Sequence, residues 1–313
     1  MKKLTSLLIT SVFTLGLIAT PALSQDKLEK ILGTKISIVP PAGFVAATRF
    51  SGYQEEESNS SIVVTEISAP ISQLKPGLIN SEELAKQGMV LLTQQTVVVD
   101  GKDATMLKVR QKAYGTEFLK WILLLGNNTE SVLVAAGFPQ EFEAQYSESL
   151  KYSLLTVTWN SEIATSPTEG LDYSLQEYGD LKLAQRLVNS LIYTKNGEFS
   201  SQSTNAPVFV VAPSVAPLYK ELGIFARERL LKTDNLREIA IASESKITIN
   251  NLNGYEITAV GKDVKSEEKI VLYQVVLLDS ENYYYLMQGQ VDNKLTGKYL
   301  PVFKQFARSF QRQ

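Results

Sequence analysis

The sequence predicts an α+β protein built from two tandem α/β/α sandwiches, each a mostly antiparallel sheet with helices on its faces. The first reason is a repeat, because the pattern of residues 97–137 returns at residues 249–289, offset by 152 or 153 positions. The second is that the strands predicted at 121–125 and 273–278 are apolar at nearly every position, as in central strands that are covered on both faces. The third is that each copy has many turn-linked strands and few helices, which favours an antiparallel sheet.

Residues 1–24 have the features of a secretory signal peptide. Two lysines precede an apolar run at 4–19, and Pro21 then comes before the small residues Ala22 and Ser24. We expect cleavage after Ser24, no stable membrane insertion after that cleavage, and a mature protein in the periplasm or secreted. An uncleaved amphipathic anchor is the alternative.

The composition of the chain excludes several classes of function. Loss of the leader, which carries two lysines and no acid, shifts the net charge from −2 to −4, so the sequence gives no reason to expect nucleic acid as a partner. The chain has no cysteine and no histidine, which excludes disulfides, Ser-His-Asp and Cys-His catalysis, and thiolate or imidazole zinc sites. It also has no glycine-rich phosphate loop. We therefore expect no catalytic residue, no cofactor and no metal.

The first domain is predicted to span residues 25–158, and its elements follow from local patterns. Alternating apolar residues, acidic loop composition, N-cap residues and turn pairs are the signals used. They predict a strand at 33–39, an acidic loop at 53–61, a strand at 62–67, a helix from about Ser81 to Leu92 capped by Asn80 or Ser81, a hairpin turning at Asp100-Gly101, strands at 117–125 and 131–137, and a helix at 142–155.

Residues 159–176 are polar and rich in turn-forming residues, and they are predicted to be a linker. The second domain, residues 177–313, repeats the plan of the first. The predicted elements are strands at 179–184 and 207–211, a helix at 218–232, a hairpin turning at Asn253-Gly254, strands at 273–278 and 283–289, and a closing helix with Tyr299, Phe303, Phe306 and Phe310 on one face.

The end of the second copy resembles a known domain family. An aromatic strand that ends in Gly289 is followed by a helix containing Phe303 and ending Ala-Arg-Ser-Phe at 307–310. This pattern resembles the closing strand and helix of PsbP-like domains, the α/β/α sandwich of the extrinsic subunit of the oxygen-evolving complex. The resemblance implies two tandem PsbP-like domains and a non-catalytic binding or assembly factor. Members thought to use histidine for metal contacts differ from this histidine-free chain.

Two groups of residues are candidates for binding a partner. Arg227 and Arg229 give the helix at 218–232 a basic character, which indicates either an anion or acidic-partner site or an ordinary charged helix face. Tyr283 and Tyr285 are expected on one face of a strand, as either a binding platform or core filling.

The acidic run Glu55-Glu56-Glu57 could hold a hard cation, although a solvated loop is the simpler interpretation.

Taken together, the sequence favours a non-enzymatic exported binding or envelope-accessory protein. Its partner would be an envelope protein or a small ligand, held in the groove between the domains. The alternatives are a carrier of an apolar small molecule, which requires a large apolar cavity, and a hydrolase that uses two carboxylates converging in one cleft.

Overall fold

The computed structural model describes residues 27–113, 115–198 and 206–313. The predicted signal peptide, residues 1–24, lies outside these ranges. Each half of the described chain forms one seven-stranded sheet in which every neighbouring pair of strands is antiparallel, and helices cover the sheet faces. This architecture confirms the predicted α+β class with two tandem sandwiches. Within the described residues, no helix is long and apolar enough to cross a membrane.

The first domain has ten strands and three α-helices. They are β1 (Glu29–Lys30), β2 (Ile36–Ile38), β3 (Val45–Ala46), β4 (Gly52–Glu55), β5 (Ser60–Ile67), α1 (Ile71–Ile79), α2 (Ser81–Lys86), β6 (Met89–Val99), β7 (Lys102–Ala113), β8 (Thr116–Gly126), β9 (Ser131–Pro139), α3 (Glu143–Leu155) and β10 (Thr158–Trp159). The large sheet has the order β3-β4-β5-β9-β8-β7-β6, and β1, β2 and β10 form a separate small sheet.

The second domain repeats this plan with different connections at its ends. Its elements are β11 (Tyr173–Ser174), β12 (Leu181–Leu187), β13 (Ser190–Lys195), β14 (Val208–Pro213), α4 (Leu222–Leu231), β15 (Leu236–Ile249), β16 (Leu252–Asp263), β17 (Lys269–Leu278), β18 (Tyr284–Asp292), α5 (Thr296–Arg308) and β19 (Gln311–Arg312). The large sheet has the order β12-β13-β14-β18-β17-β16-β15, and β11 pairs with β19.

The strands predicted to be central are covered on both faces. In β8, Leu123 packs in the core on the α3 side, whereas its neighbour Leu124 packs with Leu84 of α2 on the other side. The same alternation occurs in β17, where Tyr273 packs with the aromatic residues of α5 and Leu272 packs with α4. Burial on both faces explains why these strands are apolar at nearly every position.

The hairpin prediction is confirmed in the first domain and wrong by three residues in the second. Asp100-Gly101 forms the β6–β7 turn with positive φ at both positions, but the β15–β16 turn is made by Asn250-Asn251. Asparagine accepts the left-handed conformation that such a turn requires, so no glycine is needed there. Gly254 instead lies inside β16, where a Cβ would come within 2.6 Å of Leu277.

The helix predicted at 81–92 ends earlier than expected. Asn80 is its N-cap as predicted, but α2 stops at Lys86 because Gly88 takes a φ of +72°. The residues that follow form β6, so Leu91 packs from a strand rather than from a helix. Helix α1, which precedes α2, was not predicted.

The segment 53–61, predicted as an acidic loop, is half strand. Tyr53 is buried within β4, and only the residues after Glu55 form the turn. The acidic residues 55–57 dominate the composition of this segment, which is why the buried Tyr53 before them was overlooked.

The predicted linker is partly structured. Trp159 belongs to β10, which pairs with β2, while Leu171 and Tyr173 pack in the core of the second domain. The polar residues between 160 and 170 connect these two anchored ends.

Candidate binding cleft between the two domains

The two domains meet around the side chain of Arg49, which lies in the turn between β3 and β4. Its guanidinium donates to Asp279 of the second domain at 2.8 Å and stacks on the ring of Tyr283, with 3.7 Å between its central carbon and the ring centroid. Asp172 and Glu281 lie within 4.0 and 3.9 Å of it. The Arg49 side chain is only 11% exposed and that of Asp279 is 0% exposed, whereas Glu281 at the edge of the cluster is 69% exposed. We call these five residues the Arg49 cluster.

Local hydrogen bonds hold the acceptor of this cluster in place. Asp279 follows β17, and its Oδ1 accepts the backbone N–H groups of Glu281 and Tyr283 at 2.9 Å each. Its other oxygen is left to face Arg49, with Arg312 at 3.5 Å as a second cation. Burial lowers the pKa of Arg49, but the hydrogen bond with Asp279 and the nearby negative charges outweigh this and raise it above the ordinary value.

A second arginine joins the domains beside this cluster. Arg186 follows a bulge in β12, and its guanidinium donates to the hydroxyl of Ser51 in the first domain at 2.7 Å. The same group donates to the backbone carbonyls of Glu169 and Val188 at 2.6 and 2.7 Å. A bulge turns side chains away from their regular direction, which here aims Arg186 across the domain boundary.

A cleft of about 300 Å³ opens next to Arg186 and is lined by both domains. In the first domain, Lys35 donates from its Nζ to Glu130 at 2.6 Å and from its backbone N–H to Glu66 at 3.1 Å. The cleft is thus lined by two cationic and two acidic side chains, and its volume lies at the lower end of the range for small-molecule sites.

Glu66 is an acid of this cleft whose pKa is shifted from its ordinary value. Its burial raises the pKa of the carboxyl above the ordinary value, while the N–H of Lys35 and the charges of Lys35 and Arg186 oppose the shift. A half-buried carboxylate at the wall of a cleft is a suitable acceptor for a ligand N–H or O–H.

Trp159 combines a place at the wall of this cleft with an unpaired, buried side-chain donor. It lines the cleft, is almost fully buried, and its indole Nε1 has no hydrogen-bond acceptor within the described part of the chain. Buried polar groups normally find a partner, so this unpaired donor is a local cost to stability. Because Nε1 is itself buried, a ligand in the cleft does not reach it in this arrangement.

The structure separates the four residues that the sequence singled out. Tyr283 lies in the Arg49 cluster, whereas Tyr285 is fully buried in the second core and donates from its hydroxyl to Asp172 at 2.7 Å. A partner cannot reach Tyr285 in this arrangement. Arg227 and Arg229 lie on α4, outside the residues that line the cleft.

The basic helix residues are engaged in different ways. Arg227 binds the carboxylate of Glu244 through two nitrogens at 2.7 and 2.9 Å and also donates to the hydroxyl of Tyr255. Arg229 lines a separate depression at the end of the second sheet. Pairing with Glu244 leaves Arg227 little net charge to offer an acidic partner.

The acidic run at 55–57 is arranged as a turn. The Glu55 carboxylate accepts the N–H groups of Glu57 and Ser58 and the hydroxyl of Tyr146. Among the described residues, no group of three or more potential metal ligands is close enough to hold an ion.

Sequence reasoning missed Arg49, Arg186, Glu66 and Trp159. Glu66 and Trp159 belong to the first domain and Arg186 to the second, so the three line one cleft only when the domains pack against each other, and Arg49 lies outside this lining. The predicted location, the groove between the domains, is where the cleft lies.

No protein-family model matches the sequence, and a comparison with curated proteins also gives no match. Among solved structures, cyanobacterial PsbP (CyanoP) from Synechocystis sp. PCC 6803 is similar to 46% of this chain over 99% of its own, with 11% identity and a TM-score of 0.31. LpqN, involved in cell envelope biogenesis of Mycobacterium tuberculosis, is similar to 44% of this chain over 82% of its own, with 11% identity and a TM-score of 0.34.

Some of the similar structures span both domains, and an immunity protein is one of them. The immunity protein TplEi of the T6SS from Pseudomonas aeruginosa, solved with a peptide, covers 87% of this chain and 99% of its own, with 11% identity and a TM-score of 0.32. Likeness at this level concerns the fold and assigns no ligand.

Proposed function

We propose that this protein is a non-enzymatic exported binding or envelope-accessory protein that holds a small polar group in the cleft between its domains. The observation that carries the proposal is the cleft itself, which is lined by the charged side chains of Lys35, Glu66 and Glu130 from the first domain and of Arg186 from the second. The leader predicted at residues 1–24 supports a place outside the cytoplasm.

The charges of the cleft favour one class of ligand. Lys35 and Arg186 balance Glu66 and Glu130, so a strongly charged ligand of either sign would meet a like charge without a surplus of opposite charge. A neutral or zwitterionic group with both donors and acceptors fits better. Such a group could come from a free metabolite or from the terminus or side chain of a partner protein.

The alternative functions receive less support from this geometry. An apolar carrier needs an apolar cavity, whereas the cleft is rich in charged and polar side chains and the described cores are filled by packed residues. A carboxylate hydrolase is favoured only by the presence of Glu66 and Glu130 in one cleft. Both carboxylates are held by Lys35, which supports a structural and binding role for them.

The test uses the mature chain, residues 25–313, purified gently from its source cells. Native mass spectrometry would identify bound metabolites, and chemical crosslinking would identify protein partners. Ala184 lines the cleft from β12, so Ala184→Trp should fill it and remove the cargo, while Lys182→Trp, on the same strand outside the cleft, should keep it.

A ligand that stays bound to the Ala184→Trp variant would contradict the cleft as its binding site. Hydrolysis of chromogenic glycosides or phosphoesters by the wild type that disappears in Glu66→Gln would favour the enzyme instead. A bound small molecule would show that the polar group belongs to a free metabolite. A crosslinked protein without a bound metabolite would show that it belongs to a partner protein.

A further inference from the structure

The duplicated fold gives this protein two equivalent outer strands that differ in how they are protected. β6 ends the first sheet and β15 ends the second, and each is the outer strand of a hairpin. The outer edge of such a strand exposes backbone N–H and C=O groups that can pair with another strand. Proteins normally protect such edges with charges, prolines or bulges.

The edge of the second domain has these protections. β15 contains two irregularities, one between Arg237 and Ala240 and one between Ile241 and Ser243. It also carries charged residues along its length, namely Arg237, Glu238, Glu244 and Lys246. Both features disfavour pairing with a further strand.

The edge of the first domain has almost none of them. β6 is eleven residues long, contains no charged residue, proline or glycine, and has one irregularity, between Leu91 and Thr93. Val90, Leu92 and Val98 expose 50%, 43% and 67% of their surface. Within the described residues, no strand lies beyond β6 in its sheet.

The sequence of β6 is complementary to itself. Aliphatic residues at 89–92 and 97–99 flank the uncharged polar residues 93–96, so reversing the strand reproduces nearly the same pattern. An antiparallel pair of two copies about a two-fold axis therefore places apolar residues opposite apolar residues and brings no like charges together.

The sheet faces on which the β6 side chains lie are compatible with this antiparallel pairing. Met89 and Leu91 pack on the side of α1 and α2, whereas Val97 and Val99 pack on the side of α3, because the irregularity between them shifts the alternation by one residue. We place the two-fold axis at Gln95 and count Leu92 as the extra residue of the irregularity between Leu91 and Thr93. Leu91 then lies opposite Val98 of the second copy and Val90 opposite Val99 of the second copy, each pair on one face of the joined sheet.

We propose that β6 is a dimerisation edge, at which two copies of this chain pair antiparallel through β6 and join their first sheets into one. This interface is separate from the cleft between the domains, so the proposal does not depend on the proposed function. The occupant is a second copy because the aliphatic–polar–aliphatic order of β6 is matched by its own reverse.

The absence of cysteine makes a direct test possible in the chain 25–313. Gln95→Cys would place one thiol from each copy at the two-fold axis, where facing residues of antiparallel strands have Cβ atoms about 4.5–5.5 Å apart. Ser245→Cys is the matched control, since Ser245 is exposed on β15 at the position of Gln95 in the duplicated hairpin. Oxidation should crosslink Gln95→Cys into a covalent dimer and leave Ser245→Cys monomeric.

Sedimentation equilibrium of the cysteine-free chain gives an independent measurement. We expect reversible dimers, and Gln95→Lys should weaken the association at least about tenfold because it brings two positive charges together at the axis. Ser245→Lys should leave the association unchanged. Equal urea midpoints for wild type and both lysine variants, measured at a protein concentration low enough for all three to be monomeric, would show that folding is unaffected.

Several outcomes would overturn the proposal. They are a wild type that stays monomeric at every concentration, equal crosslinking of the two cysteine variants, and equal association of Gln95→Lys and wild type. Capture of a foreign strand by β6 in place of the second copy would also overturn it.

Discussion

Replacing Arg49 by methionine tests whether the Arg49 cluster holds the two domains together. The substitution keeps most of the side-chain volume but leaves Asp279, whose side chain is 0% exposed, without its main cation. Removing one partner of a buried ion pair typically costs about 3–5 kcal/mol. Asp279 keeps Arg312 at 3.5 Å and two backbone N–H bonds, so we expect the lower end, about 3 kcal/mol of unfolding free energy.

The two tryptophans allow the domains to be followed separately. Trp121 and Trp159 are the only tryptophans in the chain, and both pack in the first domain. Tryptophan fluorescence therefore reports unfolding of the first domain, while far-ultraviolet circular dichroism reports both. In urea, the two signals should change together for the wild type and separate for Arg49→Met, because the domains then unfold independently.

A double-mutant cycle isolates the ion pair itself. Asp279→Asn keeps an oxygen for the two backbone N–H groups, so the cycle of Arg49→Met with Asp279→Asn measures the charge interaction. We expect a coupling energy of about 1.5 kcal/mol or more. A loss below about 1 kcal/mol for Arg49→Met, together with coincident signals in both proteins, would refute the view that this cluster joins the domains.

Three further changes have expected outcomes that urea denaturation can measure. Gly289→Ala should cost about 1–3 kcal/mol, because its Cβ would lie 2.5 Å from the Phe303 ring, whereas Gly137→Ala, at the equivalent repeat position, should stay within about 0.5 kcal/mol. Asn80→Ala should cost about 1 kcal/mol through loss of the N-cap of α2. Glu66→Gln should be more stable than the wild type at neutral pH, and the difference should shrink as the pH falls.

The sign of the Glu66 effect follows from its raised pKa. The folded state binds the proton more tightly than the unfolded state, whose pKa is near 4.5, so the carboxylate destabilises the fold as the pH rises through the folded value. Below the unfolded value both states are protonated and the variant loses its advantage. A difference that does not change between acidic and neutral pH would contradict the burial argument, and equal costs for the two glycine variants would contradict the predicted contact with Phe303.

The repeat explains why so much of the fold could be predicted from the sequence. A strand that must be apolar on both faces, such as β8 or β17, has a pattern that no exposed segment shares. A two-residue turn is less distinctive, because either Asn250-Asn251 or Asn253-Gly254 could form it. Gly254 packs closely against Leu277, so a glycine is needed there because of the limited space inside β16, and Asn250-Asn251 form the turn.

The cleft could be located in outline but not by residue. Its wall depends on the bulge before Arg186, on the burial of Glu66 and on the position of Trp159 in a small separate sheet. These are consequences of tertiary packing, and none leaves a periodic or compositional signal. The tyrosine cluster shows the same limit, since only packing separates the stacked Tyr283 from the buried Tyr285.

The strand pairs that close the two domains also determine when each domain can be completed during synthesis. The first domain is closed by β10, which ends at Trp159, whereas the second is closed by pairing of β19 with β11. A chain that emerges from its amino end can therefore complete the first domain while much of the second has not yet appeared. The cleft needs residues of both, so it forms at the end of maturation, and binding to it would distinguish finished molecules from unfinished ones.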